Sequence, residues 1–359
     1  MTGPSRPVRF PPDTRPMLLT AIHTEEEFDW SRPFDSRCCE VTHLRELGRA
    51  VEIFDRLGMT PTYLLDYPVA SREDGVRAIT EAIDGTGAAI GAHLHPWVNP
   101  PVTEAITRYN SYPGNLPPAL ERAKLATLTD CIVRNLGRHP TTYLAGRYGF
   151  GVRTLSILQE LGYRVDLSPV AMGDFRGDGG PDFRDWASDC RWEGSPPILR
   201  VPHSAADTGM LCRGARRLVD PERVAALRRL RVPGMLARLG AVRRIRLTPE
   251  GFSLSEMIAA AHALIAAGVR VMIFSFHSPS LAAGFTPYVR DAADRTEFLH
   301  RVDGFLRFFK EEVGGGFALP ETILAAAEKT YAHAHWGQNI GAAPAVTLGH
   351  RGQGHDDWE

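Results

Sequence analysis

His93 and His95 stand two residues apart, directly before Pro96 and Trp97. Side chains at i and i+2 of an extended chain project to one face, and the proline halts the strand there. Both imidazoles are therefore expected at the mouth of a loop. Joined by the carboxylate of Glu25, they make a two-histidine, one-carboxylate donor set. Such a set leaves a coordination position for water, the arrangement of catalytic zinc and similar divalent metals.

The same kind of residue recurs along the chain. Apolar runs at 17–22, 62–65, 88–93, 142–145, 163–167, 198–201, 245–247 and 269–276 read as strands. The first leads into His23, Glu25 and Glu26, and the second ends at Asp66. Arg147 and Tyr148 follow the fourth, Asp166 lies at the end of the fifth, His203 follows the run at 198–201, and His277 follows the last. In parallel α/β proteins the loops at the carboxyl ends of strands build the active site. A series of histidines and carboxylates at those ends is a site hypothesis.

Helices separate the strands. Leu44, Leu47, Val51, Phe54 and Leu57 form one apolar face that stops at Gly58. Further helices are expected at 72–83, 117–136 (with proline at its start), 152–161, 221–231, 254–267 and 295–312. Repeated strand–helix units favour an α/β fold with a parallel sheet, closed or open. The expected organisation is an extension at 1–16, one domain at 17–334, and a poorly ordered polar tail at 335–359. The tail's His335, His350 and His355 are assigned no chemistry.

Composition excludes several classes. The 359 residues are 43% hydrophobic and 23% charged, which describes a folded globular chain. Lys plus Arg is 41 against 42 for Asp plus Glu, so no global basic excess draws it to nucleic acid. No run approaches the roughly 20 apolar residues of a membrane span, and 17–22 is shorter than a signal-peptide core. Cys38, Cys39, Cys131, Cys190 and Cys212 show no paired spacing, which fits a reducing, cytoplasmic setting. Arginines cluster within 213–246, as a solvated face or as a contact for an anionic surface or phosphorylated substrate. The glycines at 146, 149 and 151 do not make a dinucleotide fingerprint, and neither a nucleophile elbow nor a Walker loop occurs.

Seven segments, in order, resemble the polysaccharide deacetylase (NodB-homology) hydrolases, and within them the WalW-like branch. They are HTEEEFDW at 23–30, TPTYLLDYP at 60–68, IGAHLHPW at 90–97, AGRYG at 145–149, RIRLTPEG at 244–251, SFHSPSL at 275–281 and GFTPY at 284–288. The resemblance spans roughly 17–313. It implies an irregular (β/α) barrel of about seven parallel strands and a divalent metal, zinc first among candidates. It also implies hydrolysis of a carbon–nitrogen amide bond, typically an N-acetyl group on a sugar, in polysaccharide or glycoconjugate biosynthesis.

Carried onto this chain, the resemblance makes Glu25, His93 and His95 the metal ligands and His277 the acid that protonates the leaving amine. Asp166 is the candidate to orient His277, Arg147 joins the catalytic set, and the backbone near Tyr148 holds the oxyanion. Trp30, Trp97, Trp186 and Tyr288 are read as rings that stack on sugar or anchor loops, with Asp66 and Tyr148 also expected against substrate. Two positions depart from the family. His23 stands where the family has the aspartate base, and Leu144 where it has that aspartate's arginine partner. His23 is then a base in its own right, a further metal ligand, or the mark of a barrel that binds carbohydrate or scaffolds without hydrolysis.

Overall fold

Short apolar runs, buried on both faces, build the centre of the molecule. The computed structural model describes residues 5–209 and 243–340. Parallel strands are β1 (Met17–Thr24), β2 (Thr62–Leu65), β3 (Ala89–Leu94), β4 (Thr142–Ala145), β5 (Val165–Asp166), β6 (Ile198–Arg200) and β7 (Val271–His277). Their spatial order is β6-β5-β4-β3-β2-β1-β7, every neighbouring pair parallel. This is the seven-stranded irregular (β/α) barrel expected from the sequence.

The irregularity lies between β7 and β6. There the Ile273 N–H donates to Ser204 Oγ at 2.9 Å and the Ser275 N–H to the Leu247 carbonyl at 3.0 Å. Ser204 and Leu247 flank a separate antiparallel pair, Ala205–Thr208 with Arg243–Arg246. The strand expected at 245–247 thus exists, but outside the parallel set. Alternation reveals a strand without revealing its partner.

Each parallel strand has two faces. Leu19, Ala21, Leu64, Leu144, Val165, Leu199, Val271 and Ile273 point inward and pack as one cluster. Leu18, Ile22, Tyr63, Leu65, Ile90, Ala92, Tyr143, Phe274 and Phe276 point outward, against the helices. Those helices include Gly48–Leu57, Glu73–Ile83, Pro118–Leu136, Leu254–Ala266 and Ala292–Glu311. Gly58, with φ 62°, ends the first in the left-handed conformation that glycine adopts without a Cβ penalty. A capping box of Ser253 and Glu256 starts Leu254–Ala266.

Two terminal elements add to the barrel. Within the N-terminal extension, Arg6–Pro7 pairs antiparallel with Arg191–Glu193, which pairs in turn with β6. At the other end a helix, Pro320–Ile340, runs past residue 334, and its Ile323 and Ala327 join the inward cluster. The tail from 341, the helix expected at 221–231, Cys212 and the arginine cluster other than Arg243, Arg244 and Arg246 lie outside the described residues. Cys38, Cys39, Cys131 and Cys190 are free thiols. Among the described residues no helix is long and apolar enough to cross a membrane.

Candidate active site

The inward alternation continues upward from the apolar cluster and changes chemistry at the strand ends. After Leu19 and Ala21 comes His23, after Gly91 comes His93, after Ile273 and Ser275 comes His277, and after Leu199 and Val201 comes His203. These side chains border a cavity of about 730 Å³ with Glu25, His95, Tyr148, Arg246 and Glu250. A single parity rule gathers histidines from separate strands into one layer.

Glu25 Oε2 lies 3.3 Å from His93 Nε2 and 3.5 Å from His95 Nε2. The opposite ring nitrogens are anchored: His93 Nδ1 donates to the Leu144 carbonyl at 3.1 Å, and His95 Nδ1 to Glu26 Oε2 at 2.7 Å. Each anchor fixes the tautomer that leaves an Nε2 lone pair facing Glu25, the usual outer support of a metal-binding histidine. Burial lowers the pKa of both rings despite the carboxylate beside them, so both are neutral donors. Burial raises the Glu25 carboxyl, but His277 above all outweighs it, and the carboxyl comes to about 2. An anionic oxygen and two neutral nitrogens within 4.8 Å of one another suit a divalent cation.

The support extends one layer further. Glu26 Oε1 accepts from Trp97 Nε1 at 2.7 Å, and the Glu26 N–H donates to Asp66 Oδ2 at 2.6 Å. Burial raises both carboxyls, Glu26 to about 7 and Asp66 well above its usual range. Two adjacent buried carboxyls share one proton. Gly146 is required beside this layer, since a Cβ there would come within 2.6 Å of His95 Cδ2 and against the Leu94 carbonyl. Gly146→Ala should shift the His95 ring and lower metal affinity by roughly 10–100-fold, as loss of outer support does; equilibrium dialysis reads it.

His23 sits at the centre, its ring 4.6 Å from His277, 5.2 Å from His93 and 5.4 Å from His203 between centroids. Its Nε2 is buried with no hydrogen-bond partner. Burial, then His277, His93 and His203, hold its pKa well below the usual value, so the ring is neutral. Leu144, in register with His93 on the neighbouring strand, is fully buried in the inward cluster. A cation there would lie in an apolar interior at a cost of several kcal/mol (~3–5) without a buried partner. The two positions that depart from the resembled pattern are therefore both buried and uncharged.

His277 carries the opposite charge state. Its Nδ1 lies 2.7 Å from Glu250 Oε2, and its backbone N–H donates to Glu250 Oε1 at 3.0 Å. Burial pulls the imidazole down, but Glu250 and Glu25 push it further up, to about 9. Ser280 Oγ donates to Glu250 Oε1 at 2.6 Å and fixes the carboxylate. This ion pair stabilises the fold fully below the ordinary imidazole value of about 6.5 and loses its effect as pH rises through the folded value. Glu250→Gln keeps an acceptor and removes the charge. The His277 ring-proton titration, followed by NMR, should then fall from about 9 toward about 6.5.

Several expectations change. Asp166 does not orient His277. It lies between inward Val165 and Leu167, so its side chain alternates outward, where it accepts from Arg200 Nε at 2.8 Å and Ser168 Oγ at 2.5 Å. Arg147 borders the cavity, but its guanidinium is bound by Ser111 Oγ at 2.6 Å and Asp178 at 2.8 Å and lies over the Tyr112 ring. It braces the wall. Asp66 caps the helix Tyr67–Ser71 through the Val69 N–H and supports Glu26; it does not line the cavity. Trp97 also borders the cavity, though it is 2% exposed with its ring stacked on His95, whereas Trp186 lies under the Arg200 guanidinium and is not among the cavity's lining residues. Trp30 and Tyr288 do border the cavity, Trp30 edge-on to His277 at 5.1 Å.

Tyr148 borders it too, 6.0 Å from His23 and 5.0 Å from His203. It and Arg147 both have positive φ, 60° and 53°. That conformation costs about 1–3 kcal/mol per residue and is typically held only where the surroundings enforce it. Glu250 and His43 went unassigned from sequence. His43 bridges Glu27 and Ser278 Oγ, and Ser278 Oγ accepts from the Glu25 N–H at 3.3 Å. His203 was placed at a strand end without a role. Its parity with Leu199 and Val201 was the available signal.

No protein-family model and no curated protein sequence matches the chain. Solved structures do. A protein described as a probable polysaccharide deacetylase from Pseudomonas aeruginosa PAO1 is 14% identical, over 90% of this chain and 94% of that one, with a TM-score of 0.54. Puue allantoinase is 15% identical, over 90% and 94%, with a TM-score of 0.53. The chain has the polysaccharide-deacetylase fold. At these identities the likeness concerns backbone architecture, and the chemistry rests on the side chains described above.

Proposed function

We propose that this protein is a metal-dependent hydrolase that removes an acyl group from an amide nitrogen, most simply an N-acetyl group on a sugar. The observation that carries the reading is the convergence of His93 Nε2 and His95 Nε2 on Glu25 Oε2, with each opposite nitrogen anchored. A divalent cation held by these residues, zinc by its donor preference, would supply a Lewis acid for the acyl oxygen and an acidified water.

The chain's own residues move the protons. His23, neutral and with an open Nε2, takes the proton of the attacking water. His277, held charged by Glu250, gives its proton to the departing amine nitrogen. Water is consumed, the C–N bond breaks, and a carboxylate and an amine leave. Trp30 and Tyr288 offer ring faces to the substrate at the cavity wall. The seven segments, taken in order, support placement in the WalW-like branch. The free thiols support a reducing compartment, hence a biosynthetic intermediate over an extracellular polymer.

The test is acyl release from a panel of N-acetyl sugars, with allantoin included, by zinc-loaded protein and by His23→Ala. Turnover by the parent, lost in His23→Ala at unchanged zinc content, supports the base assignment. Loss of zinc in His23→Ala would make His23 a ligand instead. Sugar binding with no turnover under any metal would replace the hydrolase with a carbohydrate-binding barrel.

A further inference from the structure

Four arginines border the cavity: Arg32, Arg108, Arg147 and Arg246. Three have carboxylates: Arg32 pairs with Asp29 at 3.1 Å, and Asp178 receives Arg147 at 2.8 Å and Arg108 at 3.5 Å. Arg246 has no ion pair and no side-chain hydrogen bond among the described residues. Its strand neighbours are committed, Arg243 to Glu256 and Arg244 to Asp207 at 2.9 Å. Directly across the strand pair from Arg246 stands Ala205, which offers no acid.

The placement is central. Arg246 ends the strand Arg243–Arg246, and Leu247 beyond it is stitched to Ser275, two residues before His277. The charge of Arg246 is felt at His203, where it ranks next to burial in lowering the ring to about 3, and also at His277, Tyr148 and Tyr288. The acids on the cavity wall are already used. Glu25 faces His93 and His95, and Glu250 is held by His277 and Ser280.

A half-buried guanidinium with no counter-ion among the described residues is a binding group in waiting, because its planar fork matches a carboxylate or phosphate with two parallel hydrogen bonds. Resting on the amide-hydrolase reading for the scissile group, we infer that the substrate carries a second, anionic group, a carboxylate or a phosphate, which Arg246 receives. At about 730 Å³ the cavity holds a sugar ring and such a substituent together. The anion would meet Arg246 on the β7 side, with the acyl group toward Glu25, His93 and His95.

Binding to metal-stripped protein tests this without turnover and without metal–anion contacts. Three probes suffice: N-acetylglucosamine, its 6-phosphate and its 6-carboxylate analogue, titrated calorimetrically at low and high salt. The parent should bind at least one charged sugar about tenfold or more tighter than the neutral one, the value of a charge-assisted hydrogen bond. Whichever charged probe wins identifies the source of the anion. Arg246→Ala and Arg246→Gln should bring the ratio close to one, and Arg246→Lys should keep part of it. Equal affinity for charged and neutral sugars, absence of binding by all three, or a preference that survives both neutral variants would overturn the inference. A charged-sugar preference in a protein that hydrolyses none of them would sink the hydrolase reading and leave the role of Arg246 standing. Hydrolysis of neutral sugar with no preference would do the reverse.

Discussion

Replacing His93 and His95 together with alanine is expected to abolish metal retention and turnover while the barrel stays folded. The inward apolar cluster is built by other side chains, and loss of the two rings leaves Leu19, Leu64, Leu144 and Ile273 packed together. What disappears is both neutral nitrogens that face Glu25. One remaining carboxylate does not hold a divalent ion against water. Metal content by emission spectroscopy after dialysis should fall from one ion per chain to background, with the circular dichroism spectrum unchanged. A double variant that keeps stoichiometric metal would show that the ion sits elsewhere, for instance between His23, Glu25 and His277, whose donor atoms also lie within reach of one another.

His277→Ala should cost about 10²–10⁴-fold in turnover, the range for a lost acid–base group, with metal content unchanged. The pH profile separates this role from a packing role. In the parent, His277 must hold its proton, so activity falls as pH rises through about 9. His23 must be free of one, and its lowered pKa puts the acid limb below the ordinary imidazole value. The alanine variant should lose the alkaline limb and keep the acid one. A variant that slows turnover yet keeps a limb near 9 would assign that ionisation to another group.

Much of this site was legible because alternation is a local property. His93 and His95 share a face wherever the strand runs, and Pro96 marks its end, so their placement needed no tertiary knowledge. The same rule, applied to Asp166, would have turned it away from the cavity, since Val165 and Leu167 on either side are the inward residues. Glu250 was different. It sits 27 residues before His277, after a strand outside the parallel set, and nothing periodic connects the two. Such pairings depend on how loops cross the top of a barrel, which is set by contacts between distant segments.

The two terminal elements are hard to read from sequence for reasons of scale. A two-residue strand such as Arg6–Pro7 has no apolar pattern to detect. Pro320–Ile340 continues through a Gly-, His- and Asn-rich stretch because its earlier turns are already anchored by Ile323 and Ala327. Composition describes what a segment prefers alone, and this one is not alone.

That short first strand has a consequence for handling the protein. Arg191–Glu193 would otherwise be the outermost rung of the main sheet, an open row of backbone donors and acceptors ready to recruit another chain. Arg6–Pro7 covers it, and Pro7 brings no N–H of its own to extend the ladder. Cutting the chain before Val8 would trade a blunted border for a sticky one, and self-association would be the penalty.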